Sequence, residues 1–287
     1  SMDGGRTGPA GVGLGPVLVT RPEPEASAWV EVLRSQGFAA RAWPLIEIGE
    51  PQAPELRQAL DRWRRDWVDC DALMFVSSSA VQRFMASPEL ARPAADAPVR
   101  FWAPGPGTAR VLAHALQTLG LPADRIDSPL PDAAQFDSEH LWPVVRAQAA
   151  PGRRVLVVRG RTVGQPEAAE GGLAGHGRDW LMARCREAGA QVDLVVAYER
   201  RPAVFDVAAL RQLAGMNAPG SVWLLSASES VAALPGPSAG VDWSAACAVV
   251  THPRIAEAAQ ALGFGRVVQT RPALPEVLRV LESLGSP

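Results

Sequence analysis

Small and hydroxyl-bearing residues follow each of six apolar runs in this 287-residue chain. A helix that starts at such a turn can bind an anion through its free backbone N–H groups and its partial positive charge, and nearby hydroxyl groups add hydrogen bonds. Six such turns favour a ligand with several anionic groups. A polycarboxylate fits better than a nucleotide, because neither GxGxxG nor GxxxxGKS/T occurs in the sequence. The candidate substrate-binding residues are Thr20, Arg21, Ser77, Ser78, Ser79, Gly105, Gly107, Thr108, Gly160, Ser226, Ser228 and His252.

These candidates also have structural explanations. Serine and threonine before a helix are typical N-caps, and Pro253 suits the first helical turn. For His252, which precedes this proline, a cap or turn role is favoured over catalysis. Further arginines beside the predicted strand ends could bind carboxylates or could be solvated at the surface; they are Arg159, Arg200, Arg201 and Arg254.

The composition excludes several kinds of chemistry. All 28 residues in the Lys+Arg count are arginine, so a lysine Schiff base, a pyridoxal-phosphate anchor and a P-loop lysine are impossible. Three widely spaced cysteines and four scattered histidines predict reduced thiols, a cytoplasmic location and no metal site. Ser77–Ser79 lacks the GxSxG pattern of a serine hydrolase. Tyr198 is the only tyrosine, so any phenol chemistry depends on it.

Charge and hydropathy limit the partners. A formal net charge of -2 argues against a general nucleic-acid binder, which needs a basic face. No apolar run approaches the ~18–20 residues that span a bilayer. Residues 1–16 lack the apolar core of a signal peptide, and the Ser1-Met2 start resembles the remnant of a cloning tag.

Six repeats of a strand, a turn and a helix must position the candidate residues. Continuous apolar strands that alternate with helices are typical of parallel sheets covered on both faces, so the fold class is α/β. The repeats are Val17–Gly37, Ala72–Met85, Val99–Gly120, Arg154–Gly189, Ser221–Leu234 and Ala248–Gly263.

The repeats resemble one another in pairs, the first with the fourth, the second with the fifth and the third with the sixth. This order predicts two similar three-layer domains, the first of them interrupted by the second. Domain 1 comprises residues 15–44 and 201–287, and domain 2 comprises residues 51–194. Residues 45–50 and 195–200 form a two-stranded antiparallel connector that permits hinge motion, with the ligand in the cleft between the domains. Residues 1–14 are expected to be disordered, and residues 86–98 and 164–177 to be mobile loops.

Several motifs occur in a fixed order: Val17–Pro22, Pro44–Ile46, Phe75–Val81, Gly105–Ala109, Val158–Gly160, Gly177–Leu181, Tyr198–Arg200 and Thr251–Ala256. In this order, over about residues 17–284, the chain resembles the uroporphyrinogen-III synthase family. The resemblance implies a cofactor-free lyase that cyclises hydroxymethylbilane to uroporphyrinogen III, with inversion of ring D and loss of water, in haem, sirohaem and cobalamin biosynthesis. It places the family's candidate proton donor at Tyr198. It also suggests a monomer that transiently contacts hydroxymethylbilane synthase.

Two other classes of protein fit parts of the pattern. A non-catalytic, two-lobed cytosolic sensor for a polycarboxylate would show the same architecture. A phosphosugar or nucleotide-sugar enzyme is disfavoured, because the sequence shows neither an acid–base carboxylate pair at a strand end nor a phosphate loop. Formation of the type III isomer from hydroxymethylbilane would separate the enzyme from both.

Overall fold

The computed structural model describes residues 14–135, 137–164 and 172–285, and of residues 172–176 it describes the backbone only. Two of the predictions fall largely or partly outside these residues, namely the disordered segment 1–14 and residues 165–171 of the loop 164–177. Within the described ranges, no helix is long and apolar enough to cross a membrane.

The chain divides into two compact units. Unit 1 comprises Ser1–Ile48 and Arg201–Pro287, and unit 2 comprises Gly49–Arg200. Both are built on largely parallel sheets packed with helices, so the predicted α/β fold class, with one unit interrupted by the other, is confirmed.

Eleven strands lie in the described residues. They are β1 (Val17–Val19), β2 (Ala40–Ala42), β3 (Ile46–Gly49), β4 (Ala72–Phe75), β5 (Arg100–Trp102), β6 (Ile126–Asp127), β7 (Arg154–Thr162), β8 (Gln191–Pro202), β9 (Val222–Leu225), β10 (Cys247–Val250) and β11 (Arg266–Gln269). One sheet has the order β11-β10-β9-β1-β2, and the other has the order β3-β8-β7-β4-β5-β6. The pairs β1·β2, β1·β9, β9·β10, β10·β11, β4·β5, β4·β7, β5·β6 and β7·β8 are parallel.

Ten α-helices accompany these strands among the described residues. They are α1 (Glu25–Ser35), α2 (Pro54–Asp66), α3 (Ser78–Met85), α4 (Pro106–Thr118), α5 (Ser138–Val145), α6 (Gly172–Glu187), α7 (Val207–Met216), α8 (Ser228–Ala233), α9 (Pro253–Leu262) and α10 (Leu274–Gly285). Helix α6 starts at Gly172, so the prediction of a loop over 164–177 is wrong for its last six residues, 172–177. Helix α2 lies outside the six repeats and buries only Leu60, Trp63 and Arg64, a narrow stripe on a mostly charged helix.

The first connector strand is shorter than predicted. The apolar stretch from Ala42 to Ile48 belongs to two strands, β2 and β3, separated by Trp43, Pro44 and Leu45. Pro44 has no N–H group to donate to a strand ladder, so the chain changes course there. The corresponding stretch later in the chain forms part of the single long strand β8.

Alternate residues of the unit 1 strands build two hydrophobic clusters, as the period of two in a strand requires. Val17 and Val19 pack with α1 and α10 on one face, and Leu18 packs with α7, α8 and α9 on the other. The second cluster contains a continuous array of five aromatic rings, in the order Phe205, Trp43, Trp223, Trp243 and Phe264. We call these five residues the aromatic array.

Unit 2 repeats this arrangement with different residues. Met74 of β4 packs in a cluster with α5 and α6. Its neighbour Phe75 meets Phe84 of α3 at a ring-centroid distance of 6.0 Å. Helices therefore cover both faces of β4, and this packing holds α3 against the strands whose ends carry the candidate residues of unit 2.

Candidate active site

The side chain of Tyr198 lies beside the end of β4. It is buried, with 6% of its surface exposed, and its Oη atom lies 3.0 Å from the Oγ atom of Ser77. The tyrosine ring lies directly over Gly160, where a Cβ atom would overlap ring carbons Cζ and Cε2. The structure thus brings together three predicted site residues that are far apart in the sequence.

A β-bulge places Tyr198 over this glycine. Val196 pairs with Arg159, but the next pair along the ladder joins Tyr198 to Gly160, so Ala197 is the extra residue. In a regular ladder, Ala197 would lie opposite Gly160, and Tyr198 would face the other side of the sheet. Bulges commonly redirect a side chain in this way.

Ser77 connects the phenol to the start of helix α3. It is the N-cap residue of α3, and its Oγ atom accepts the backbone N–H of Ala80 at 3.1 Å. Ser78 and Ser79 form the first turn and are half-buried. The phenol therefore lies at the positive end of a helix dipole, where a negative charge on its oxygen would be stabilised.

Glu199 is a buried acid that the sequence analysis did not select. It is 5% exposed, and its Oε1 atom accepts the backbone N–H of Gln52 at 2.6 Å. The sequence signal that could have identified Glu199 is a carboxylate directly after an apolar strand run. Its position next to Tyr198 on β8 ties this strand to the segment before α2.

The start of α4 carries the other predicted residues of unit 2. Gly105 is the N-cap residue in an extended conformation, and Pro106 begins the helix. Gly107 is exposed, and a Cβ atom there would meet nothing within 4 Å. Thr108 is buried. Among the described residues, no hydrogen bond joins Gly105, Gly107 or Thr108 to the Tyr198 side chain.

In unit 1, Thr20 and Arg21 make internal contacts. Thr20 is 1% exposed, and its hydroxyl donates to the carbonyl of Leu224 at 2.6 Å, which ties the ends of β1 and β9. The Arg21 guanidinium lies 4.1 Å from the ring centroid of Trp29 and donates to the carbonyl of Pro272 at 3.2 Å.

His252 caps a helix, as the structural alternative predicted. Its Nδ1 atom accepts the backbone N–H of Arg254 at 3.0 Å, and Pro253 follows as the first residue of α9. The N-cap residue of α8 is Ala227, without a side-chain hydrogen bond. Of the two flanking candidates, Ser226 is half-buried and Ser228 is exposed.

The additional arginines differ in environment. Arg159 is 3% exposed, Arg200 and Arg201 are half-buried, and Arg254 is exposed. Within the described residues, no three His, Cys, Asp or Glu side chains form a group that could hold a metal ion.

The family model described as "Uroporphyrinogen-III synthase HemD" matches residues 27–278. The chain belongs to the uroporphyrinogen-III synthase family. It is accordingly a cyclising lyase of tetrapyrrole biosynthesis, and nothing in the comparisons favours the sensor alternative.

Solved structures support the same fold. The uroporphyrinogen-III synthetase of Helicobacter pylori is 16% identical, covers 94% of this chain and 99% of its own, and has a TM-score of 0.53. A mutant uroporphyrinogen III synthase of Thermus thermophilus is 17% identical, covers 94% and 98% of the two chains, and has a TM-score of 0.51. No curated protein matched the chain.

Proposed function

We propose that this chain cyclises hydroxymethylbilane to uroporphyrinogen III and that Tyr198 donates a proton to the departing hydroxyl group. The observation that carries the catalytic assignment is the Tyr198 Oη to Ser77 Oγ contact of 3.0 Å at the start of α3. Tyr198 is also the only tyrosine of the chain.

The proton transfer follows from the chemistry of the substrate. The nitrogen of the pyrrole that bears the hydroxymethyl group donates electron density toward the hydroxymethyl carbon, and the C–O bond breaks. The phenol proton leaves with the hydroxyl group as water. The product is an azafulvene cation beside a phenolate. Attack by the substituted carbon of ring D forms a spiro intermediate. Rearrangement and loss of one proton, which the phenolate can take back, complete uroporphyrinogen III.

Ser77 is suited to direct this proton. Its oxygen already accepts the Ala80 N–H group, so its own proton is available for Tyr198 Oη. When Ser77 donates to the phenol, the phenol proton is free to point at the substrate. The same serine proton then stabilises the phenolate, together with the dipole of α3.

The second part of the proposal concerns the residues that bind the carboxylates of the substrate. Hydroxymethylbilane carries eight carboxylates, and we assign some of them to Ser78, Ser79 and the first turn of α4, around Gly105, Gly107 and Thr108. Hydroxyl groups and unpaired helix N–H groups are good donors to carboxylates. Binding by Thr20, Arg21, Ser226, Ser228 and His252 stays a prediction; the Thr20 hydroxyl and His252 Nδ1 are already bonded to backbone groups.

The proposal includes a cytoplasmic location and a transient contact with hydroxymethylbilane synthase. All three cysteines are unpaired thiols, which is typical of a reducing compartment such as the cytoplasm. Because hydroxymethylbilane closes spontaneously to the type I isomer, direct transfer from hydroxymethylbilane synthase to a monomer of this protein would protect the substrate.

The test uses freshly prepared hydroxymethylbilane, followed by oxidation and separation of the type I and type III products. We expect type III from the wild-type chain and a ten- to hundredfold lower turnover, roughly, for Tyr198→Phe. The phenylalanine ring keeps the contact with Gly160, so matching melting temperatures would show that only the hydroxyl group was lost.

Two results would overturn the proposal. Type I product alone, at the uncatalysed rate, would exclude the activity and favour the sensor alternative if the chain still bound the substrate. Unchanged turnover of a folded Tyr198→Phe variant would exclude the proton transfer from Tyr198 while leaving the activity intact.

A further inference from the structure

A groove of about 1100 Å³ runs along the edge of the unit 1 sheet, at none of the candidate substrate-binding residues. Strand β2 forms its wall, since β2 is the last strand of that sheet. Arg34 near the end of α1 and Arg211 on α7 border the groove, and Trp43 and Met216 contribute apolar surface. A groove between an edge strand and a helix is a geometry that accepts an extended peptide.

The backbone of β2 has hydrogen-bonding groups that point into this groove. Val17 N–H donates to Ala39 O at 3.0 Å, and Trp43 N–H donates to Val19 O at 2.8 Å. Because peptide groups alternate along a strand, those of Ala40 and Ala42 point away from β1. The Ala40 carbonyl accepts Arg34 Nε at 2.9 Å, and Ala40 is only 1% exposed, so the groups available at the edge are the N–H and the carbonyl of the exposed Ala42.

Three exposed arginines give the groove a positive charge. They are Arg34, Arg41 and Arg211. Arg41 pairs with Leu18 in the ladder, and Leu18 shares a cluster with Leu213 of α7, so Arg41 lies on the same side of the sheet as Arg211. Among residues 14–135, 137–164 and 172–285, no carboxylate forms an ion pair with any of the three.

We propose that this edge binds an extended acidic segment of a partner protein. The segment extends along β2 and pairs with it through the N–H and the carbonyl of Ala42. Its carboxylates contact Arg34, Arg41 and Arg211. Backbone pairing supplies affinity in this mode, and the charged side chains select an acidic sequence.

The same charges disfavour a second copy of this chain as the occupant. Two β2 edges placed side by side would bring together six arginine side chains without an acidic partner, and like charges at an interface are costly. A free polycarboxylate would satisfy the arginines but would leave the strand edge unpaired.

Fluorescence anisotropy with the full chain tests the proposal. The probe is a fluorescein-labelled peptide of four alternating glutamate–valine pairs, and its control carries the same charges but has alternate backbone nitrogens methylated. We expect binding of the first peptide that weakens with added salt, and at least tenfold weaker binding, roughly, of the methylated peptide.

Protein variants test the arginines separately. The double variant Arg41→Ala/Arg211→Ala should weaken peptide binding by about three- to thirtyfold, because exposed ion pairs contribute modestly. Arg62→Ala, which removes an exposed arginine of α2 in unit 2, is the matched control and should bind as wild type. All three proteins should turn over hydroxymethylbilane equally, which separates this proposal from the proposed function.

Four results would overturn it. Equal binding of the methylated peptide, or full displacement by citrate at matched charge, would show a site for polyanions rather than a strand-pairing site. Equal binding of the peptide by the double variant would exclude a contribution of Arg41 and Arg211 to binding. A dimer in sedimentation experiments that the double variant stabilises would identify a second copy as the occupant.

Discussion

At the scale of single residues, the candidate site depends on a glycine as much as on the tyrosine. The Tyr198 ring occupies the space that a side chain at Gly160 would need. The sequence already singles out Tyr198, because it is the only tyrosine. Its contact with Ser77 could not be predicted, because the bulge at Ala197 decides which face of β8 carries the phenol, and a strand pattern of period two contains no mark of a bulge.

Gly160→Ala should therefore displace the phenol. The added methyl group overlaps the ring, and overpacking of this kind costs about 1–3 kcal/mol of unfolding free energy. We expect turnover to fall at least as far as in Tyr198→Phe, and urea unfolding to shift to lower concentration.

Gly215→Ala is the control for this substitution. Gly215 lies in α7, has no atoms within 4 Å of its Cβ position, and should gain about 0.5–1 kcal/mol from the loss of a flexible helical glycine. Equal stability and turnover of the two alanine variants would contradict the steric role of Gly160.

At the scale of elements, helix α3 is held at both ends. Ser77 caps its start, and the buried guanidinium of Arg64 binds its end, with NH2 2.6 Å from the carbonyl of Arg83 and Nε 3.1 Å from the carbonyl of Phe84. Arg64 also forms an ion pair with Glu50 at 3.2 Å. The position of the first turn, where Ser77 meets Tyr198, thus depends on an arginine that the sequence analysis did not select.

Arg64→Ala should lower the unfolding free energy by about 2–4 kcal/mol, because the carbonyls of Arg83 and Phe84 at the end of α3 lose a buried donor. Arg64→Lys should restore only part of this, since one ammonium group cannot reach all three acceptors in the same geometry. Urea denaturation measures both.

The neighbouring Arg65→Ala is the matched control, because Arg65 is exposed on the same helix. Its effect should stay within about 0.5 kcal/mol. A similar loss of stability in both alanine variants would mean that helix propensity or net charge, rather than the hydrogen bonds from Arg64 to the end of α3, determines the effect.

Helix α5 provides a pH-dependent contribution to stability. Asp137 caps this helix; its Oδ1 atom accepts the His140 backbone N–H at 2.9 Å and lies 2.6 Å from the ring Nδ1 atom. Partial burial acts to raise the pKa of Asp137, but the hydrogen bonds from His140 outweigh it, and the pKa falls below the ordinary value of 3.8. The unfolded chain therefore binds the proton more readily, so the stabilisation is present above the ordinary pKa and is lost as the pH falls through the folded value.

Asp137→Asn keeps an N-cap side chain without this titration. The difference in unfolding free energy between wild type and variant should be present at about pH 5 and should shrink as the pH falls below about 4. Urea titrations at a series of acidic pH values measure it. A difference that grows on acidification would reverse the assigned direction of the pKa shift.

The strand–helix alternation was the most predictable part of the fold. Continuous apolar runs mark strands that are buried on both faces, which is why the six repeats reappear as β1, β4, β5, β7, β9 and β10 with their helices. Helix α2 was missed because its surface is mostly charged, and the division between β2 and β3 was missed because Trp43, Pro44 and Leu45 read as one apolar stretch with their neighbours.

At the scale of the whole molecule, each unit has its own buried clusters and its own thiols, which are buried in unit 2 and partly buried in unit 1. Burial raises the pKa of Cys70 and of Cys185 to about 11 each, and it also raises the pKa of Cys247. Cys70 and Cys185 belong to unit 2, whereas Cys247 belongs to unit 1. The interrupted order of the units was predictable from the pairing of the repeats, because each repeat carries its own strand and turn pattern.

The thiols should report unfolding unit by unit. At neutral pH only about one in ten thousand thiols of pKa near 11 is ionised, so iodoacetamide should leave the native Cys70 and Cys185 unmodified for hours. Mass spectrometry after labelling in increasing urea should show both becoming reactive at one urea concentration, set by unit 2. Rapid modification without urea, or separate midpoints for Cys70 and Cys185, would contradict a single packed unit.

The aromatic array gives unit 1 an optical signature. Trp223 and Trp243 meet nearly at right angles, with ring centroids 5.1 Å apart and an interplanar angle of 88°. The strong indole transitions couple at this separation and produce paired circular dichroism bands of opposite sign in the far ultraviolet. These bands weaken as the rings separate, so circular dichroism can follow the packing of the tryptophan pairs without any attached label.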